Sequence, residues 1–306
     1  MKALVGYTGF VGGNIDRCED FDGRYNTRNI EEAFGTKPDL LVYAGMRAEK
    51  YLANNEPEKD LALVKEAFEN ITKIDPKKVV LISTSDVYKV PVGVNEDTPV
   101  VTEDLHAYGL DRYYLECWVR DAYPDASIVR LPALYGTGIK KNFVYDFIKR
   151  IPFMLTESKF TELKSIDPFL TPFYEDQGNG FYKCHYSTEE ERLQLKAYFE
   201  KVGFSALQFT DSRSKFQFYP LSRLWGDIET ILENGLSLVN IVTEPVSAGE
   251  VYKYVTGSDF VNELSKPPAD YDIQTKYAGL FGSDIPYMMD KEQVLPDLKE
   301  FILSSN

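Results

Sequence analysis

Lys2-Ala3-Leu4-Val5-Gly6-Tyr7-Thr8-Gly9-Phe10-Val11-Gly12 is the stretch on which the reading of this chain turns. A short apolar run predicts a buried strand, and glycines at 6, 9 and 12 then predict a tight turn opening a helix. Glycine lets the backbone turn sharply and approach a bound phosphate, with the helix N-terminus aimed at the negative charge. Gly6, Thr8, Gly9, Phe10, Val11 and Gly12 are thus candidates for holding a dinucleotide pyrophosphate. The spacing is Gly-x-x-Gly-x-x-Gly, which also occurs in plain structural turns; its place after a strand favours the phosphate reading. The stretch where an acidic ribose-binding residue is expected reads Tyr25-Asn26-Thr27-Arg28-Asn29. Arg28 in that place leans toward NADP over NAD.

Outward from the loop, apolar runs alternate with helical patterns, as in a parallel sheet with crossover helices. Leu40-Leu41-Val42-Tyr43, Val79-Val80-Leu81-Ile82 and Ile128-Val129-Arg130-Leu131 read as further strands. Leu61, Leu63, Val64, Ala67 and Phe68 fall mostly on one face of a helix over 57–71, and a second helix is expected over 106–122. After about residue 143 aromatics, prolines and charges mix without that alternation. Ser187-Thr188-Glu189-Glu190 there reads as a capping box ahead of a helix bearing Leu193, Leu195, Tyr198, Phe199 and Val202. The expected fold is α/β: a Rossmann-type doubly wound parallel sheet with a smaller C-terminal α/β substrate-binding region. Residues 1–143 with returning segments near 216–245 form the first part, and 144–215 with 246–306 the second.

Composition limits the function. The 306 residues carry 34 basic and 48 acidic side chains, a net charge of −14, which repels nucleic acid at long range. Lys140, Lys141 and Asn142, or Arg213 and Lys215, are local spots that could meet a phosphate or simply be solvated. Cys18, Cys117 and Cys184 are odd in number and show no Cys-x-x-Cys spacing, which fits a reducing compartment. Only His106 and His185 are present, so a histidine-rich metal site is not expected. No apolar run approaches the roughly 18 residues of a membrane span, and the chain reads as cytoplasmic.

Hydride exchange at a carbinol carbon needs a group that gives or takes the oxygen's proton. Tyr108-Gly109-Leu110-Asp111-Arg112 places a cation one helical turn from a tyrosine, and positive charge eases loss of the phenol proton. With 21 tyrosines in the chain, that pair needs support. Support comes from Ser83-Thr84-Ser85-Asp86-Val87-Tyr88, hydroxyls at the carboxyl end of a buried strand, the edge where open α/β sheets bind ligands.

In order and spacing, the glycine loop, Ser83-Thr84-x-x-Val87-Tyr88 and Tyr108-x-x-x-Arg112 resemble the extended short-chain dehydrogenase/reductase family of nucleotide-sugar epimerases, dehydratases and reductases. The resemblance continues through Arg130-Leu131-Pro132-Ala133-Leu134-Tyr135-Gly136, the aromatic segment 216–228, and Asn240 to Ser247. It implies Tyr108 as acid/base, Thr84 bonding the reacting oxygen and Arg112 in the place of the family lysine. It further implies Ala44, Gly45, Leu131 and Pro132 beside the cofactor, and Ser85, Asp86, Asn142, Gln217, Tyr219 and Arg223 toward a nucleotide-sugar-like substrate. A homodimer through helices near 57–72 and 106–122 is also implied. Arginine keeps the charge of lysine but brings a longer planar fork.

Sugar dehydratases of the family carry an Asp-Glu pair after the threonine. Here Ser85-Asp86 supplies one carboxylate, which disfavours elimination and leaves keto reduction or epimerisation. The short segment before Lys37-Pro38-Asp39-Leu40 resembles the dTDP-4-dehydrorhamnose reductase-like branch and favours reduction. The reading from another class is a noncatalytic NAD(P)-binding regulator. A hydrolase using His106 lacks a nucleophile motif, and His106 reads as a helix-start residue.

Overall fold

The computed structural model describes residues 1–305. The chain divides into two compact units, one of residues 1–139, 215–246 and 270–296, the other of 140–214, 247–269 and the stretch from Asp297 onward. The segment 270–296 therefore clusters with the sheet, away from the C-terminal residues with which the sequence reading grouped it.

The first unit is built on a six-stranded sheet of β1 (Lys2–Val5), β2 (Gly23–Tyr25), β3 (Leu40–Tyr43), β4 (Val79–Thr84), β5 (Ser127–Leu131) and β6 (Leu238–Asn240). Its spatial order is β2-β1-β3-β4-β5-β6, all parallel. The direction of winding reverses between β1 and β3, so the loops leaving those two strands flank a crevice where such sheets take ligands. Helices α1 (Phe10–Ile15), α2 (Lys50–Asn55), α3 (Pro57–Ile74), α4 (Ala107–Ala122) and α5 (Leu224–Glu233) cover the faces.

Alternation along the strands explains why both faces are covered. Leu41, Val79, Leu81 and Ile128 face a cluster with Val64 and Ile71 of α3 and Leu115 and Val119 of α4. Leu4, Val42, Val80 and Val129 pack on the other side against Ile15 of α1 and Leu224, Ile228 and Ile231 of α5. Each such side chain, at or near zero exposure, contributes about 1.5–3 kcal/mol by leaving water. The sequence reading had neither β2 nor α2. Between β2 and β3 the chain makes only a 3-10 turn, Ile30–Ala33, where a full crossover helix would fit.

The second unit has a three-stranded antiparallel sheet with Phe181–Cys184 between Met154–Thr156 and Tyr174–Asp176. Its core is largely aromatic: Phe160, Tyr174, Tyr198 and Phe199 gather around Leu163, Leu170 and Leu195. The helix Glu189–Lys201 is capped by Thr188 with Glu191, one residue later than the box read from the sequence. Leu195, Tyr198 and Phe199 face inward as expected, but Leu193 is 52% exposed.

Candidate active site

Glycine is required at two loop positions for separate reasons. Gly6 has φ of +93°, and a Cβ there would lie 2.5 Å from the Ala44 carbonyl oxygen at the end of β3. At Gly12 a Cβ would strike the Gly6 carbonyl, so this glycine lets α1 pack directly on the turn. Gly9 is exposed and is the N-cap of α1, with no side chain closing the helix start and no acidic residue in the first turn. Asn14 of α1 donates to Phe10 O at 2.8 Å and to Thr137 O at 2.9 Å, tying the helix to the segment after β5. These features fit a diphosphate: an open helix start, no opposing carboxylate, and a backbone that can be approached. Thr8 is exposed, Phe10, Val11, Ala44 and Pro132 are half-buried, Gly45 is exposed, and Leu131 is buried in the core.

At the same edge of the sheet β4 delivers Thr84, and α4 delivers Tyr108 from its first turn. His106 caps α4, its Nδ1 accepting from the Gly109 N–H at 3.0 Å, so the helix-start reading holds. Burial, then the Lys50 ammonium, holds the imidazole below its ordinary proton affinity. Gly109 has no room for a Cβ, which would strike the Asp86 carbonyl; that close approach seats the start of α4 on the turn after β4. The Thr84 side chain accepts from the Asp86 N–H at 3.1 Å, and the Tyr108 N–H donates to Asn54 Oδ1 at 3.2 Å.

The electrostatics differ from the sequence expectation. Burial pushes the Tyr108 phenol above its ordinary range, Arg112 and Lys50 pull it down, and Asp86 pushes it up. The net effect is upward, so at neutral pH the phenol keeps its proton and is equipped to give one rather than to take one.

Arg112 is committed elsewhere. Its guanidinium forms an ion pair with Asp60 of α3 and donates to the Arg47 carbonyl at 2.6 Å. It also lies over the Tyr108 ring, 4.1 Å from the centroid. Both members of the ion pair are almost fully buried, at 4% and 2% exposure. Next to them burial and the Asp60 carboxylate hold the Asp111 carboxyl above the usual range.

A polar network missed by the sequence reading lies beneath the site. Ser83 donates to Glu116 of α4 at 2.5 Å, and Arg130 of β5 donates to the same carboxylate at 2.6 Å. Arg130 also donates to the Tyr88 hydroxyl at 2.8 Å, and Asn240 of β6 donates to that oxygen at 3.1 Å. Three adjacent strand ends and α4 are thereby locked together at the edge that presents Thr84.

The remaining candidates divide. Ser85 is buried, and Asp86 is half-buried and bonded to Lys50 at 2.8 Å. Gln217 is 1% exposed; its amide donates to Thr243 O and Ile273 O and accepts from Ile273 N–H. The Tyr219 hydroxyl is buried against Asp227. These two side chains are structural, which corrects the expectation that they face a ligand. Arg223 is 39% exposed and lies 3.8 Å from Asp227. Asn142, in the second unit, caps the helix Phe143–Lys149 by accepting from Val144 and Tyr145 N–H. Arg28 is exposed, just past β2.

Comparison with solved structures places the architecture. A dTDP-4-dehydrorhamnose reductase from Yersinia enterocolitica superposes with a TM-score of 0.64 at 12% identity, covering 100% of this chain and 99% of that one. RMD from Pseudomonas aeruginosa, solved with NADPH, gives 0.63 at 11% identity over 100% and 99%. The chain has the Rossmann-type α/β fold that these structures share. A UDP-N-acetylglucosamine 4-epimerase from Methanobrevibacter ruminantium gives 0.62 at 13% identity over 99% and 96%. No family model and no curated protein matches the sequence.

Within this fold, the sequence reading missed Lys50 and Tyr271. Lys50 opens α2, a helix too short to show periodicity, and Tyr271 arrives from 270–296. Both meet at Asp86, with Tyr271 OH donating to its Oδ1 at 3.2 Å. Among the described residues no helix is long and apolar enough to cross a membrane.

Proposed function

We propose that the chain is an NAD(P)-dependent oxidoreductase that reduces a keto group on a nucleotide-sugar-like substrate. The observation that carries this reading is the placing of Thr84, at the carboxyl end of β4, and of Tyr108, in the first turn of an α4 helix seated by Gly109 on the Asp86 carbonyl, at the sheet edge where the Gly6–Gly12 turn also leaves β1. Bound there, a reduced nicotinamide would supply the hydride. Thr84 orients the substrate carbonyl by donating to its oxygen, and Tyr108 delivers the proton that oxygen needs as it becomes an alkoxide. Gly6, Gly9 and Gly12 with Thr8, Phe10 and Val11 are assigned to the pyrophosphate. Ala44, Gly45, Leu131 and Pro132 are assigned to the rest of the cofactor, and Arg28 to a ribose phosphate, hence NADP ahead of NAD. Ser85, Asp86 and Arg223 remain substrate candidates of the first unit, and Asn142 is by itself a candidate of the second.

The commitment of Arg112 to Asp60 supports a second reading, a dinucleotide-binding protein without turnover. Titration with NADPH and NADH, followed by reduced-nicotinamide fluorescence, and then addition of a mixture of nucleotide 4-keto sugars separates the two. Binding with loss of the reduced cofactor is expected; binding without loss would favour the regulator, and no binding would overturn both. We also assign a homodimer to α3 and α4, where Trp118 stacks at 6.1 Å on Tyr114, itself 37% exposed, and packs against Phe68.

A further inference from the structure

The commitment of Arg112 leaves a question of charge. Its guanidinium is neutralised by Asp60, held by the Arg47 carbonyl, and laid across the face of the Tyr108 ring. A cation so fixed cannot follow the phenol oxygen as a proton leaves it. The bond to the Arg47 carbonyl has another effect: it anchors the segment that begins α2 three residues later, and α2 begins with Lys50.

Lys50 reaches the site from outside the motif. Its ammonium pairs with Asp86 at 2.8 Å, and the Tyr271 hydroxyl donates to the same carboxylate oxygen at 3.2 Å. An ammonium has three donors, and the contact with Asp86 uses one. The side chain is 43% exposed, unlike the buried Arg112. The backbone brings the Lys50–Asp86 pair to the start of α4, where Asn54 of α2 accepts from the Tyr108 N–H at 3.2 Å and Gly109 is seated on the Asp86 carbonyl. The ionisable groups around Lys50 are thus Asp86 from the turn after β4, His106 and Tyr108 from the start of α4, and Tyr271 from the returning segment.

We propose that Lys50 is a second cation of the Tyr108 site, held by Asp86, which Tyr271 also bonds, so that the balance of this ion pair sets the charge around the phenol. Lys50 and Asp86 are positioning residues in this role, acting on Tyr108 rather than on the reacting atoms. The proposal rests on Tyr108 being the proton donor, and it makes a prediction about sign that a purely structural role does not make. Removing the ammonium leaves Asp86 facing the phenol alone, and removing the carboxylate charge leaves Lys50 alone.

The test uses the full chain with 3-fluorotyrosine placed at position 108 and follows the fluorine resonance against pH, with neither cofactor nor substrate present. Lys50→Met is expected to raise the midpoint by about one unit, and Asp86→Asn to lower it by a similar amount, the size usual for a charge within a few ångströms. Lys50→Arg, which keeps the charge, should leave it near that of the parent. A midpoint unmoved by Lys50→Met, or moved the same way by Lys50→Met and Asp86→Asn, would overturn the proposal. Because no nicotinamide is used, that failure would leave the oxidoreductase reading standing, whereas failure to bind NADPH would strike that reading and not this one.

Discussion

The two units use their buried polar groups differently. In the sheet unit, several buried charges come in partnered sets, Glu116 with Arg130 and Ser83, Asp60 with Arg112, and Glu96 with Thr275 and the Asn240 N–H, while Asp111 Oδ2 beside the second set has no hydrogen-bond partner among the described residues. Those sets lie at or near the edge that presents Thr84 and Tyr108. The second unit is held by aromatic packing, and its buried phenols bond backbone carbonyls, Tyr174 to Pro152 O at 2.5 Å and Tyr198 to Leu163 O at 2.9 Å. Its Asp146 carboxyl is pushed up to about 7 by burial. Charge networks thus organise the proposed chemical edge, while the second unit keeps its shape with few charges inside.

If this contrast is right, stability should respond most where a charge set is broken. Glu116→Ala strands the Arg130 guanidinium and should cost about 3–5 kcal/mol in urea unfolding; a loss under about 1 kcal/mol would mean that the network is not organising the edge.

In the second unit the response to charge removal should have the opposite sign. Asp146 has a folded proton affinity above its unfolded one, so its contribution is present below about pH 4 and is lost as pH rises through 7. Asp146→Asn should therefore stabilise at pH 8 by on the order of 2 kcal/mol. That gain should shrink to nothing by about pH 4, as followed by thermal unfolding across pH; a gain independent of pH would contradict the assignment.

Tyr174→Phe removes one neutral hydrogen bond from the aromatic core and should cost only about 1 kcal/mol, well below Glu116→Ala when the two are measured side by side. The smallest effect is expected at the exposed Arg28. Arg28→Ala should weaken NADPH by about threefold and leave NADH unchanged in fluorescence titrations; equal weakening of both would remove the ribose-phosphate role.

The same contrast explains what the sequence made legible. The glycine loop, the strand ends and the places of Thr84 and Tyr108 could be read because tight turns, buried strands and helix starts impose residue types at short range. Arg130 carried an unread signal, since a charge inside Ile128-Val129-Arg130-Leu131 demands a partner, though Glu116 as that partner emerges only once α4 lies on β4. Gln217 and Tyr219 were assigned outward because family order gives position along the chain and not the direction of a side chain. Lys50 and Tyr271 meet at Asp86 through tertiary packing alone, and no spacing encodes that. In the second unit the helix Glu189–Lys201 could be read from its cap and apolar face, and the rest could not, because aromatic packing has no fixed period or motif.

The most direct test of the central claim is Tyr108→Phe, with NADPH binding and turnover of a confirmed nucleotide keto sugar measured on the same preparation. The account predicts binding near that of the parent and kcat lowered by about 100-fold or more, as loss of a positioned proton donor should do. Turnover left intact in a variant that still binds NADPH would contradict it.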